Sequence, residues 1–214
     1  QGVKLVGDGF LVAADDQAKM RQAGSQVIRR YLSGRDLVQR NRSLEVIDFA
    51  GLSVDEARNA NPLAFQHVLD HVKPLRDQNR EESRRRNWWL FGRTNENMRR
   101  ALVGLKRFVV TPEVAKFRPF VFASDLIPDA SLYAVAADDA LTLGVLSSAV
   151  HATWAAFAGG TLEDRPRYHG GTCFDRFPFL APLTRPAALP VRLPSVSAPM
   201  LLRPRAPARD YHTA

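Results

Sequence analysis

The clearest pattern along the chain is helical. Phe65, Val68, Leu69, Val72 and Leu75 recur at three- and four-residue spacing and define one apolar face. Asn61-Pro62 precedes them as an N-cap followed by proline at the first helical position, where its missing N–H costs nothing. Further upstream, Ser53 and Glu56 stand at capping-box spacing: the hydroxyl can accept the third helical N–H while the carboxylate reaches back. Asn95 is placed to cap another helix, with Met98, Leu102 and Leu105 turned inward. Residues 138–157 read as one long amphipathic helix, ended by Gly159-Gly160.

Other stretches have the shorter period of strands. Residues 3–12 predict a strand, a turn at Gly7-Asp8-Gly9 and a second strand. Residues 26–37 start extended and turn at Ser33-Gly34, and 44–49 alternate as a half-buried strand does. The runs 108–110, 120–122 and 132–136 are short and β-rich, broken by Pro112, Pro119 and Pro128. This succession predicts an α+β fold, a mixed β-sheet with packed helices over residues 1–179. Over 180–214 proline recurs beside Arg, Ala and Leu. Neither a helix nor a central strand persists in such a segment, so an extended, poorly packed tail is expected.

Charge changes the picture. The 214 residues carry a formal +8, and residues 73–107 alone hold eleven Lys or Arg against four Asp or Glu. Within that stretch Arg84-Arg85-Arg86 runs into Trp88-Trp89. A basic cluster interleaved with aromatics is what binding a polyanion with stackable bases requires. The same residues also fit a solvated helix face over a core tryptophan pair, because charge alone does not name a partner. Leu90-Phe91 continue the apolar run, which favours the core for both rings. The single Cys173 leaves no intramolecular disulfide and fits a reducing compartment. No apolar run approaches the ~18–20 residues of a membrane span. The opening QGVKLVGDGF lacks the apolar centre of a signal peptide and enters a strand pattern at once, as a piece of a longer polypeptide would.

Self-sufficient chemistry is hard to assemble. His67 and His71 lie four apart on one helix, the spacing of a zinc-binding pair, but Val68 stands where the general base of that pattern belongs and no third ligand follows. Asp138-Asp139 sit at a predicted helix start, where carboxylates match the dipole. Asp129 and Glu163 do not build a nuclease triad. Ser147, Ser148 and His151 lack a strained nucleophile turn. Gly7-Asp8-Gly9 is too short to cradle a phosphate, and Asn61-Pro62-Leu63-Ala64 is not the motif that holds a base for amino-methylation. No catalytic residue and no metal ligand is assigned.

Six blocks occur in order: GVKLVGDGF near the start, VIRRYLSGRDL at 27–37, HVKPLRDQNR at 71–80, NWWLFG at 87–92, LGVLSSAVHATWAAFAGG at 143–160 and CFDRFPF at 173–179. Together they resemble the target-recognition domain of MmeI-type (type IIL) restriction–modification enzymes. The resemblance implies a fold similar to the recognition domains of type I specificity subunits. It also implies an upstream nuclease and adenine-N6 methyltransferase using S-adenosylmethionine and Mg in the parent polypeptide, none of them in this chain. A bacterial, cytoplasmic setting and no membrane partner follow from the same likeness. Family members usually continue after the last block into a charged helical segment, where this chain runs LAPLTRPAALPVRLP.

Under this reading the partner is double-stranded DNA. Arg80, Arg84, Arg85 and Arg86 are the candidate phosphate contacts. Gln78, Asn79 and Asn87, with Glu113, Lys116 and Arg118 in TPEVAKFRPF, are the candidate base readers. Arg35 and Asp36 form a second candidate edge. Each can equally be a surface or ion-paired residue. Two other readings stay open: a non-specific nucleic-acid-binding protein stacking single strands on Trp88 and Trp89, and a non-functional remnant of a disrupted restriction–modification gene.

Overall fold

Local capping decides where several helices begin. Ser53 accepts from the backbone N–H of Glu56 while the Glu56 carboxylate accepts from that of Ser53, starting α3 (Val54–Ala60). Asn61 accepts from Ala64 N–H at 3.0 Å and opens α4 (Pro62–His71). Asn95, in the left-handed region at φ 56°, caps α7 (Glu96–Leu102), and Asp139 caps α8 (Ala140–Leu146). The computed structural model describes residues 1–163 and 165–179. Its chain divides into Gln1–Phe177 and Pro178–Ala214, so the expected 180–214 tail lies outside the described residues.

Two sheets organise the first unit. One has the order β1 (Leu11–Val12), β3 (Glu45–Ile47), β2 (Ile28–Leu32) and β6 (Leu126–Pro128). Its β2–β6 pair is parallel, with Tyr31 beside Ile127, and the others are antiparallel. The helices α1 (Ala14–Gly24), α3 and α4 flank this sheet. Phe10, Val46, Ile47, Phe49, Phe65 and Val68 form its core. The second sheet is antiparallel, with β4 (Phe108–Pro112) between β5 (Val121–Ala123) and β7 (Leu132–Val135). β4 is buried along its whole length, and the period of two sorts its residues. Val109 packs with Leu146, Ala155 and Tyr168, whereas Phe108 and Val110 pack with Leu32, Leu102 and Leu105.

The mixed α+β architecture is as expected, but several elements differ. Residues 3–12 do not form a hairpin. Val3 makes a lone parallel bridge to Asp129 and Lys4 an antiparallel one to Arg93, and a 3-10 turn precedes the two-residue β1. This close docking requires glycine at position 2, where a Cβ would collide with the carbonyls of Pro128 and Asp129. The Ser33-Gly34 turn is the start of a helix, α2 (Gly34–Val38). Strand β3 is buried at all three residues rather than half-buried. The helix through Leu75 breaks after His71, because Pro74 in α5 (Lys73–Asp77) brings no N–H to the Asp70 carbonyl. Rotation at the break leaves Leu75 exposed and buries Arg76 instead. The long helix over 138–157 is two helices, α8 and α9 (Ala149–Gly159), bent by 57° where Ser148 starts the second. Among the described residues no single helix is long and apolar enough to cross a membrane.

Candidate nucleic-acid interface

The basic segment divides into a buried part that holds the fold and an exposed part free to meet a ligand. Arg76 is 2% exposed and donates to the carbonyls of Leu5 at 2.9 Å and Leu90 at 3.3 Å. Burial and the nearby Arg84 depress its pKa, an expense repaid by two chain segments tied to one guanidinium. Arg99 is bidentate to Asp48 at 2.7 and 3.0 Å. These two arginines contribute to the sequence's basic run but serve the interior.

Outside them lies α6 (Glu82–Arg86), which carries the triplet. Trp88, packed against Phe65 at 5.4 Å, pins the chain behind it, and Trp89 donates its indole N–H to the Leu52 carbonyl at 3.0 Å. Both rings therefore belong to the core, and a stacking platform for single strands is not available there. Arg84 lies 2.9 Å from the Glu81 carboxylate. Arg85 donates to the carbonyls of Asn79 at 2.6 Å and Arg80 at 3.2 Å, which closes the loop between α5 and α6. Arg80, Arg85, Arg86, Gln78 and Asn87 are exposed. Asn79 is half-buried, its side-chain oxygen accepting from Glu81 N–H at 2.9 Å.

The second group lies in the loop between β4 and β5. Its residues are not equivalent. Arg118 is engaged at the loop's base: it donates to the carbonyls of Pro112, Glu113 (3.4 Å) and Pro166 (2.9 Å) and lies 4.9 Å over the Tyr168 ring. Burial lowers its pKa. Glu113 accepts from Arg167 at 2.7 and 2.9 Å and from Gln1 at 3.1 Å. The polar atoms of both hold the loop. Lys116 is exposed beside Phe117. Gln1 also accepts from Arg93 at 3.3 Å, so Arg93 is the basic-segment residue tied to this loop.

The edge at Arg35 and Asp36 is built around an ion pair. Asp36 is 4% exposed, and its carboxylate takes the Ser33 N–H (3.1 Å), the Ser33 hydroxyl (2.5 Å) and the Arg42 side chain (2.6 and 3.1 Å). Burial alone would raise its pKa, but Arg42 and Ser33 outweigh it and hold the carboxyl at about 2. It is a capping and ion-pairing group. Arg35 turns to Gln39 at 3.1 Å rather than to Asp36.

The sequence alone does not single out Arg93 and Arg167, whose partners lie 92 and 54 positions away, nor Arg42, six residues after Asp36, nor Phe117. Its signal is its place between two cations in a proline-bounded loop. His67 and His71 stack at 4.3 Å, and among the described residues no group of three or more His, Cys, Asp or Glu could hold a metal. Ser148 and His151 do not form a nucleophile pair: the serine oxygen caps α9, and the buried imidazole meets the Tyr168 hydroxyl at 3.1 Å.

A family model described as "MmeI, target recognition domain" matches residues 1–181. Among solved structures, the type IIL restriction–modification enzyme MmeI in complex with DNA shares the fold, with a TM-score of 0.69 at 22% identity. The match covers 85% of this chain and 24% of that one, so this chain spans about a quarter of that enzyme's length. No curated protein matches significantly.

Proposed function

Because this chain belongs to the MmeI target-recognition-domain family, we propose that it recognises a short sequence in double-stranded DNA on behalf of a type IIL restriction–modification enzyme. The observation that carries the reading is the family match over residues 1–181. The exposed cation edge on and beside α6 supports it, because phosphate contacts need solvent-accessible charge on a fixed backbone. Arg80, Arg85 and Arg86 are the phosphate contacts, while Arg84 is held by Glu81. Gln78, Asn79 and Asn87 are the groups left for base edges, and Lys116 and Arg35 are cations at the surface. Adenine methylation, cleavage, S-adenosylmethionine and Mg belong in this reading to an upstream part of the parent polypeptide. The described residues do not fit those groups: they offer neither a metal-ligand cluster nor a Gly-rich cradle.

The test is retention of a randomised duplex library by the 214-residue chain at moderate salt, followed by sequencing. One enriched short motif is expected. Retention without enrichment would replace sequence recognition with generic polyanion binding, and preference for single strands over duplex would overturn the reading.

A further inference from the structure

A lone exposed aromatic is ordinarily unremarkable. Phe157, for example, is 91% exposed on the uncharged helix α9. Phe117 is a different case. It is 82% exposed in the β4–β5 loop, yet that loop is tied down by hydrogen bonds on both sides. On one side it is zipped to residues 166–168: Tyr168 N–H donates to Glu113 O at 2.7 Å, Ala115 N–H to Pro166 O at 3.3 Å, and Val114 bridges Arg167. At its base the Arg118 guanidinium gathers three carbonyls. The Glu113–Arg167 pair and Gln1 complete the clamp.

Two costs are visible in this arrangement. A half-buried cation is set among carbonyls rather than paired with a carboxylate, and an aromatic ring is held in water. Fixing a side chain before binding removes the ordering penalty at the moment of binding. What is displayed is an aromatic ring with the Lys116 ammonium 5.8 Å from its centroid. A ligand matching that pair has an apolar or π surface beside a negative charge, as a base beside its phosphate does.

We propose that Phe117 is a DNA-contacting residue, its ring seated against a base of the recognised duplex while Lys116 meets the adjacent phosphate. The inference rests on the recognition reading above and adds to it a contact that is apolar rather than ionic.

Salt separates the two kinds of contact. With the motif enriched from the library as probe, affinities of the parent chain, Phe117→Ala, Phe117→Leu and Lys116→Ala are measured from 50 to 200 mM salt. Phe117→Ala should weaken binding about tenfold at every salt concentration, within the range of one lost base contact, and leave the salt slope unchanged. Phe117→Leu should recover part of the loss, and Lys116→Ala should lower the slope by about one. Thermal unfolding of Phe117→Ala should match the parent, since the ring supports nothing beneath it. Equal affinities for the parent chain and Phe117→Ala would overturn the inference and leave recognition intact. Failure of the parent chain to select any motif would overturn the recognition reading and this contact with it.

Discussion

Replacing Asp36 with asparagine separates a structural role from a reading role at one position. The carboxylate holds both ends of the cap on α2 and faces Arg42 at 2.6 Å, and its own side chain is 1% exposed. It ionises at about 2 rather than at 3.8, a difference worth about 2 kcal/mol of folding free energy at neutral pH. Asparagine keeps one acceptor for the Ser33 N–H but loses the attraction to Arg42, so most of that stabilisation should go. For a domain of this size each kcal/mol moves the Tm by roughly 2–4 °C, so a fall of about 4–8 °C is expected at pH 7. The sign with pH follows from the direction of the shift. A carboxyl depressed on folding gives its full stabilisation above about pH 4 and loses it as the pH falls toward 2. The parent chain should therefore converge on Asp36→Asn only below about pH 2. Calorimetric scans across pH and motif selection by the variant are the assays. An unchanged Tm together with an altered preference at one base pair would refute the structural assignment.

Two further outcomes follow from the burial pattern. Arg84, Arg85 and Arg86 changed together to alanine should weaken binding to all duplexes alike and lower the salt slope by about two rather than three, since Arg84 is already engaged by Glu81. Filter binding across salt concentrations measures it, and a change in base preference would mean the triplet reads sequence. Trp88→Ala should cost about 3–5 kcal/mol in denaturant unfolding, the toll of an emptied core site. Loss of DNA binding with stability intact would instead restore the ring to the interface.

What could be read from the chain was what neighbouring residues settle among themselves. Ser53 with Glu56, Asn61 with Pro62, Asn95 and Asp139 each satisfy a helix start within a few positions, and each was legible. Strand β6 was not, because Leu126–Pro128 becomes a strand only through its parallel partner β2. The single long helix was misread for a related reason: the Ser147-Ser148 break permits a bend, but the apolar pattern runs across it. At the candidate site, polarity and loop position pointed equally to Arg118, Glu113 and Lys116. What divides them is the approach of residues 166–168 from about fifty positions away, for Arg167 reaches Glu113 across 54 residues. The blocks that carry the family resemblance told more about identity than about which atoms are free.

The way the first residues are tied in has a bearing on how the molecule comes to be folded. Gly2 donates to Leu132, Val3 to Pro128 and Lys4 to Arg93, while Tyr31 reaches Asp129 across 98 positions. None of these partners exists in a growing chain when residues 1–32 emerge from the ribosome. Closing such distant loops carries an entropy cost that is recovered only when the far partner arrives, which places this topology among the slower folders of its size. Val3, Leu5 and Phe10 are all bound for the core, and Val3 stays exposed until its partner segment near residue 128 has been made. The chain is thus most vulnerable to aggregation between the making of residues 1–32 and the making of residues 126–132, and slower growth at lower temperature should improve its soluble yield.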